Sequence, residues 1–176
     1  ILAEYAAWGH VDLRQVSSIH ADRFGGLWVG HREGITRLDF SRKMEFFNAS
    51  HGLEGTVNEI EVYKGDLYVS SDRGLFRFSG KNGKAGKFEK LPPIENARRL
   101  VATDHALLIG SIYGLWAYRE DQLTQVFLGD SSFLDDSPLH PDRIYFGGFD
   151  GLHYAEWEDP GGWLYGGPVD PEVDFY

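Results

Sequence analysis

Residues 27–38 read L-W-V-G-H-R-E-G-I-T-R-L, and the chain repeats this pattern three more times. Residues 67–78 read L-Y-V-S-S-D-R-G-L-F-R-F, residues 107–118 read L-L-I-G-S-I-Y-G-L-W-A-Y, and residues 144–155 read I-Y-F-G-G-F-D-G-L-H-Y-A. The shared glycines Gly34, Gly74, Gly114 and Gly151 stand 40, 40 and 37 residues apart. A fixed period of this size belongs to solenoids, propellers and arrays, in which no unit buries its apolar face alone.

Each unit has room for four short strands. In the first, residues 16–21 read as an inner strand, 22–26 as a Gly-rich turn, 27–30 and 35–40 as the middle strands, and a fourth begins near Met44. The order recurs, with inner strands at 57–62, 97–102 and, shortened, near 137–140, where Pro138 and Pro141 interrupt it. Turns follow at 63–66, 103–105 and 141–143, and outer strands at 87–91, 123–128 and 163–166. Residues 1–8 read as the outer strand of a preceding unit. No stripe of 3.6-residue period interrupts the strands, which excludes leucine-rich, ankyrin and tetratricopeptide repeats. Four strands in about 40 residues is the content of one β-propeller blade. The expected fold is therefore all-β, a partial β-propeller of four-stranded blades over residues 1–176. Its units fall at about 1–15, 16–56, 57–96, 97–136 and 137–176. Gly34 and its equivalents end a three-residue hairpin loop that needs a positive φ. The small residues Gly30, Ser70, Gly110 and Gly147 fit strands that crowd where blades approach an axis.

Composition narrows the function classes. Of the 176 residues 42% are hydrophobic and 15% aromatic, too many for a disordered chain. Without cysteine there is no disulfide or thiolate metal site. A net charge of −10 argues against nucleic acid, which requires a basic stripe. No apolar run approaches the length of a membrane span, so any membrane attachment lies in segments outside this chain.

The unit I-x-x-D-x-x-G-x-L-W-V-G-x-x-x-G-I-x-R-L, residues 19–38, resembles the two-component regulator propeller repeat. Phe46-Phe47 and His51-Gly52-Leu53, leading to Val57, resemble that family's link between successive blades. The resemblance covers nearly the whole chain and weakens in the fourth unit. It implies the extracytoplasmic, periplasmic sensing part of a bacterial hybrid histidine kinase or diguanylate cyclase, in a propeller of about seven blades. Four blades leave two end faces. Strands about 4.8 Å apart and about 17 Å long give each face roughly 300 Å², and about 600 Å² of apolar surface is at the limit that soluble monomers tolerate. Missing blades or self-association with a second copy are expected to cover them, in preference to closure as a four-bladed disc.

Catalytic motifs are absent: there is no G-x-S-x-G elbow, no H-E-x-x-H and no phosphate-binding glycine loop. The seven histidines show no metal-ligand spacing, and neither metal nor cofactor is expected. The acidic residues 130–136 (D-S-S-F-L-D-D) read as a solvated loop between blades. Residues 157–163 (W-E-D-P-G-G-W) offer a surface for stacking a sugar but read first as a turn between core aromatics. The best functional locus is the set of loops between second and third strands, where a constant frame surrounds residues that vary from unit to unit. His31, Arg32, Asp72, Arg73, Tyr113, Phe149 and Asp150 are the candidate binding residues, suited to a polar or carbohydrate-like ligand. The expected function is a non-enzymatic sensor module. The alternatives are a protein-interaction scaffold without a small ligand, and a fragment of a propeller enzyme whose catalytic residues lie partly in other blades.

Overall fold

Alternating apolar residues broken by two-residue turns leave this chain one economical solution, the antiparallel meander. A computed structural model describes residues 7–8, 11–12, 15–39, 45–80, 86–91 and 93–169. Its first strands, β1 (Ala7–Trp8) and β2 (Val11–Asp12), pair antiparallel. The expected outer strand at 1–8 lies mostly outside the described residues, as does Met44. Four meanders follow. Blade 1 is β3 (Val16–Ala21), β4 (Gly26–His31), β5 (Gly34–Asp39) and β6 (Glu45–Phe47). Blade 2 is β7 (Val57–Tyr63), β8 (Asp66–Ser71), β9 (Gly74–Phe78) and β10 (Phe88–Leu91). Blade 3 is β11 (Ala97–Ala102), β12 (Leu107–Ser111), β13 (Gly114–Arg119) and β14 (Gln122–Phe127). Blade 4 is β15 (Phe133–Ser137), β16 (His140–Gly148), β17 (Gly151–Glu158) and β18 (Gly162–Pro168). Each forms one four-stranded antiparallel sheet in chain order. Among the described residues the helical content is one 3-10 turn, Ala49–His51.

The chain divides into two compact units, Ile1–Asn96 and Ala97–Tyr176, with two blades each. In the first, β3 lies beside β7, and Trp28, Ile35 and Phe47 of blade 1 pack on Val57, Ile60, Val69, Phe76 and Phe88 of blade 2. Trp28 stacks on Phe47 at 5.6 Å, and Phe47 meets Phe78 edge-on at 5.1 Å. Leu53, from the connection between the blades, is buried in the same cluster, which accounts for the leucine of the H-G-L segment. In the second unit β11 lies beside β15, and Leu108 and Leu115 of blade 3 face Leu134, Ile144, Phe146 and Trp163 of blade 4. Burying each such side chain contributes about 1.5–3 kcal/mol. The continuous apolar runs of β8 and β12 follow from burial on both sheet faces.

The fourth inner strand differs from expectation. It is β15, set in the acidic segment that reads as a loop, and the turn after it is Pro138-Leu139. Leu134 explains the shift: it is buried against β16 and pairs with Phe146, while Asp135 and Asp136 stay exposed. Pro141 is accommodated because residues 141–143 form a bulge between the pairs Ser137–His140 and Asp136–Ile144, so no β15 partner requires its missing N–H.

The hairpin loops between second and third strands are also shorter than expected. His31 pairs with Gly34, Ser71 with Gly74, Ser111 with Gly114 and Gly148 with Gly151, leaving two residues at each tip. The pivot glycines have φ of 144°, 128°, 156° and 109°. In the first three a backbone carbonyl lies where a Cβ would stand: Phe47 O at Gly34, Ile94 O at Gly74 and Phe127 O at Gly114. Gly151 has open space around it. Gly30 is crowded by Ser18 and by Val57 of the next blade, as the small column anticipates.

In blade 1 the turn is organised by Asp22. Its Oδ1 accepts from the Phe24 and Gly26 amides at 2.9 and 2.8 Å, and its Oδ2 from Trp28 Nε1 at 3.1 Å and Arg37 Nε at 2.8 Å. The D, W and R of the repeat motif are thus one hydrogen-bonded cluster. Burial pushes the Asp22 carboxyl up, but the hydrogen bonds from Arg37, Gly26 and Phe24 outweigh it and hold the pKa below its ordinary 3.8.

Two outcomes follow from this architecture. Gly74→Ala is expected to lower stability by about 2–3 kcal/mol and Gly151→Ala by about 1 kcal/mol, read from urea midpoints at unchanged slope. Equal losses would show that the carbonyl approach is irrelevant. A carboxyl with a lowered folded-state pKa contributes stability that is complete above its unfolded value and lost as pH falls through the folded one. Asp22→Asn should therefore cost about 1.5–3 kcal/mol at neutral pH, with the gap narrowing below about pH 4. A gap that stays constant down to about pH 2 contradicts this account.

Candidate functional site

A two-residue turn decides which candidate residues can meet a ligand. In the first unit the tips are Arg32-Glu33 and Asp72-Arg73, all exposed. His31 is excluded from the tip because it is the last residue of β4. Its side chain is 0% exposed, its Nε2 shares a 2.9 Å hydrogen bond with Thr36 Oγ1, and its ring stacks on Phe46. His31 is a framework residue, corresponding in position to the buried Ser71 and Ser111 of the next two blades. In the second unit the tips are Ile112-Tyr113 and Phe149-Asp150.

The tips are tied to the segments that connect blades. Asp72 Oδ1 accepts from the Thr56 amide at 2.8 Å, the Asp72 amide donates to Thr56 O at 3.2 Å, and Ser71 Oγ donates to Glu54 O at 2.9 Å. The carboxylate of Asp72 therefore holds the connection between blades 1 and 2 against the β8–β9 tip. In the second unit the carboxylate comes from the other side. Asp130, on the connection between blades 3 and 4, accepts from the Phe149 amide at 3.3 Å and from the amide and hydroxyl of Ser132. The Ser131 amide donates to Ser111 O at 2.8 Å, which fixes the same connection to the end of β12. Sequence reasoning missed Asp130 by reading D-S-S as solvent-exposed loop. The recognisable signal is an aspartate two residues before an amide it can accept from.

The tips of the two units differ in chemistry. Those of the first are charged, while in the second Tyr113 is 54% and Phe149 97% exposed. The Tyr113 backbone is held by its amide donating to Ser111 Oγ at 3.2 Å and by Gln125 Nε2 donating to its carbonyl at 3.3 Å. Both rings project from a fixed backbone and are available for stacking. Leu128, 80% exposed, lies two residues before Asp130. Phe133 and Leu152, both exposed, flank Gly147 on one face of blade 4. Among the described residues no group of His, Asp or Glu is placed to hold a metal ion, and no helix is long and apolar enough to cross a membrane.

No protein-family model and no curated protein sequence matches the chain. Solved structures do. The chain is similar to the extracellular domain of a hybrid two-component system from B. thetaiotaomicron, with a TM-score of 0.71 and 21% identity over 94% of this chain and 24% of that one. A second such domain from the same organism gives 0.64 and 19%, over 78% of this chain and 21% of that one. A streptogramin B lyase gives 0.62 and 15%, over 88% and 54%. The chain spans about a quarter of the length of the two extracellular domains. At these identities the likeness is one of fold, and the fold is a segment of a β-propeller with four-stranded blades.

Proposed function

We propose that the chain is part of the extracytoplasmic sensor propeller of a bacterial signalling protein, and that it takes a polar or carbohydrate-like ligand at the hairpin tips. The observation that carries this is the exposure of Tyr113 and Phe149 on backbones held by Ser111, Gln125 and Asp130. Large aromatic rings left in water on a rigid scaffold are the usual form of a recognition surface. The extracellular sensor domains with the same fold support the sensing role and the location. Phe133 and Leu152 suit coverage of the blade 4 face by further blades or a second copy. The output, including any catalysis, belongs to a domain outside this chain.

Leu128 favours one second reading, a protein-interaction scaffold, because an exposed aliphatic side chain has no stacking role toward a sugar. Thermal unfolding and calorimetry with a panel of neutral and acidic oligosaccharides separate the two. Sensing predicts saturable stabilisation by at least one of them. Phe149→Ala and Tyr113→Ala should each weaken that binding about tenfold or more. Leu139→Ala, at an equally exposed apolar site in the turn at the other end of blade 4, should leave it unchanged. Binding that survives both aromatic substitutions excludes the tips as the site. No saccharide binding, together with loss of a protein partner in Leu128→Ala, favours the scaffold.

A further inference from the structure

A recess lies in the Ala97–Tyr176 unit, at the end of the blades opposite the tips. It opens between the β13–β14 hairpin of blade 3 and the β17–β18 hairpin of blade 4, with a volume of about 280 Å³, room for roughly nine waters. Its apolar lining comes from Ala106, Ala117 and the cross-strand pair Trp157 and Trp163, whose rings meet edge-on at 6.3 Å. The two alanines leave the space that larger side chains would fill. The Trp163 indole N–H is buried and finds no acceptor among the described residues, a deficit that ordinarily costs about 1–3 kcal/mol.

The polar part of the lining is specific. Arg119 and Glu120 stand side by side at the end of β13, with Nε and Oε1 3.3 Å apart, and the guanidinium lies 5.2 Å from the centre of the Trp157 ring. Both side chains are largely exposed, so their mutual pairing is weak and readily exchanged for charges on a ligand. Gln122 and Thr124 add hydrogen-bonding groups on β14. The lining is mixed, and the Trp157 ring is already stacked on His105 at 4.3 Å, so an apolar group enters beside Trp163 and the alanines. A cation and an anion next to that apolar patch complement a molecule with a carboxylate, an ammonium group and a short apolar side chain.

We propose that this recess binds a free α-amino acid with an apolar side chain, its carboxylate on Arg119, its ammonium on Glu120, and its side chain against Trp163 and the two alanines. The site is separate from the tips and does not rest on their ligand.

Tryptophan emission and calorimetry of the intact chain test it, with L-leucine as probe and L-leucinamide, N-acetyl-L-leucine and glucose as comparisons. Leucine is expected to give a saturable signal at micromolar to millimolar concentration. Each charge-deleted analogue should bind about tenfold or more weakly. Glu120→Gln should remove the preference over N-acetyl-leucine, and Arg119→Gln the preference over leucinamide. Unchanged melting curves would confirm that both exposed substitutions leave the fold intact, and Phe149→Ala should leave leucine binding as it was. The proposal is overturned if leucine gives no saturable signal, if glucose binds as tightly, or if both charge substitutions leave the affinities unchanged.

Discussion

The architecture depends on a backbone carbonyl reaching into the space that a side chain would occupy at Gly34, Gly74 and Gly114. That contact places the end of the outer strand, or in blade 2 the connection that follows it, against the start of the third strand. It therefore determines where the chain leaves one blade for the next. Positive φ at the same glycines closes the two-residue turn. One residue type meets both requirements, and the repeat preserves it while the tip residues beside it vary. Blade 4 lacks the carbonyl contact at Gly151, and it is also the blade whose sequence departs furthest from the others.

Most of the fold was legible in the sequence because a period near 40 residues and alternation within each unit are statements about geometry. The inner strands β3, β7 and β11 and all four outer strands lie where alternation puts them, within a residue or two. The failures have identifiable causes. The β15 strand was hidden because Asp135 and Asp136 made its exposed positions look like a loop, and only Leu134 marks the buried side. Tip length was overestimated by one residue because register is a pairing property: His31 looks variable across repeats, yet it pairs with Gly34 and faces inward. Of the candidate binding residues, Tyr113 and Phe149 have the exposure that contact with a ligand would demand, while the carboxylate of Asp72 is engaged in holding Thr56.

The Asp22 cluster shows how a motif that spans twenty residues reduces to a few bonds. Its aspartate, tryptophan and arginine come from three separate strands or turns and converge on one carboxylate. Blades 2 and 3 solve the same turn differently. In blade 2, Lys64 and Gly65 both adopt positive φ, and in blade 3 the Thr103 hydroxyl bonds the Ala106 backbone on both sides. The inner hairpin can therefore be closed by charge, by backbone conformation or by a hydroxyl, which is why the residues of this turn differ from blade to blade.

The carboxylates that fasten the blade connections show the same freedom more sharply. Asp72 sits on the tip and reaches to the connection, whereas Asp130 sits on the connection and reaches to the tip. The spatial role is shared, but the two residues occupy different columns of the repeat. A column-by-column alignment of the four units scores both as unmatched and understates how alike the blades are. Internal symmetry in such a chain is therefore better measured by which groups are bonded to one another than by which letters coincide.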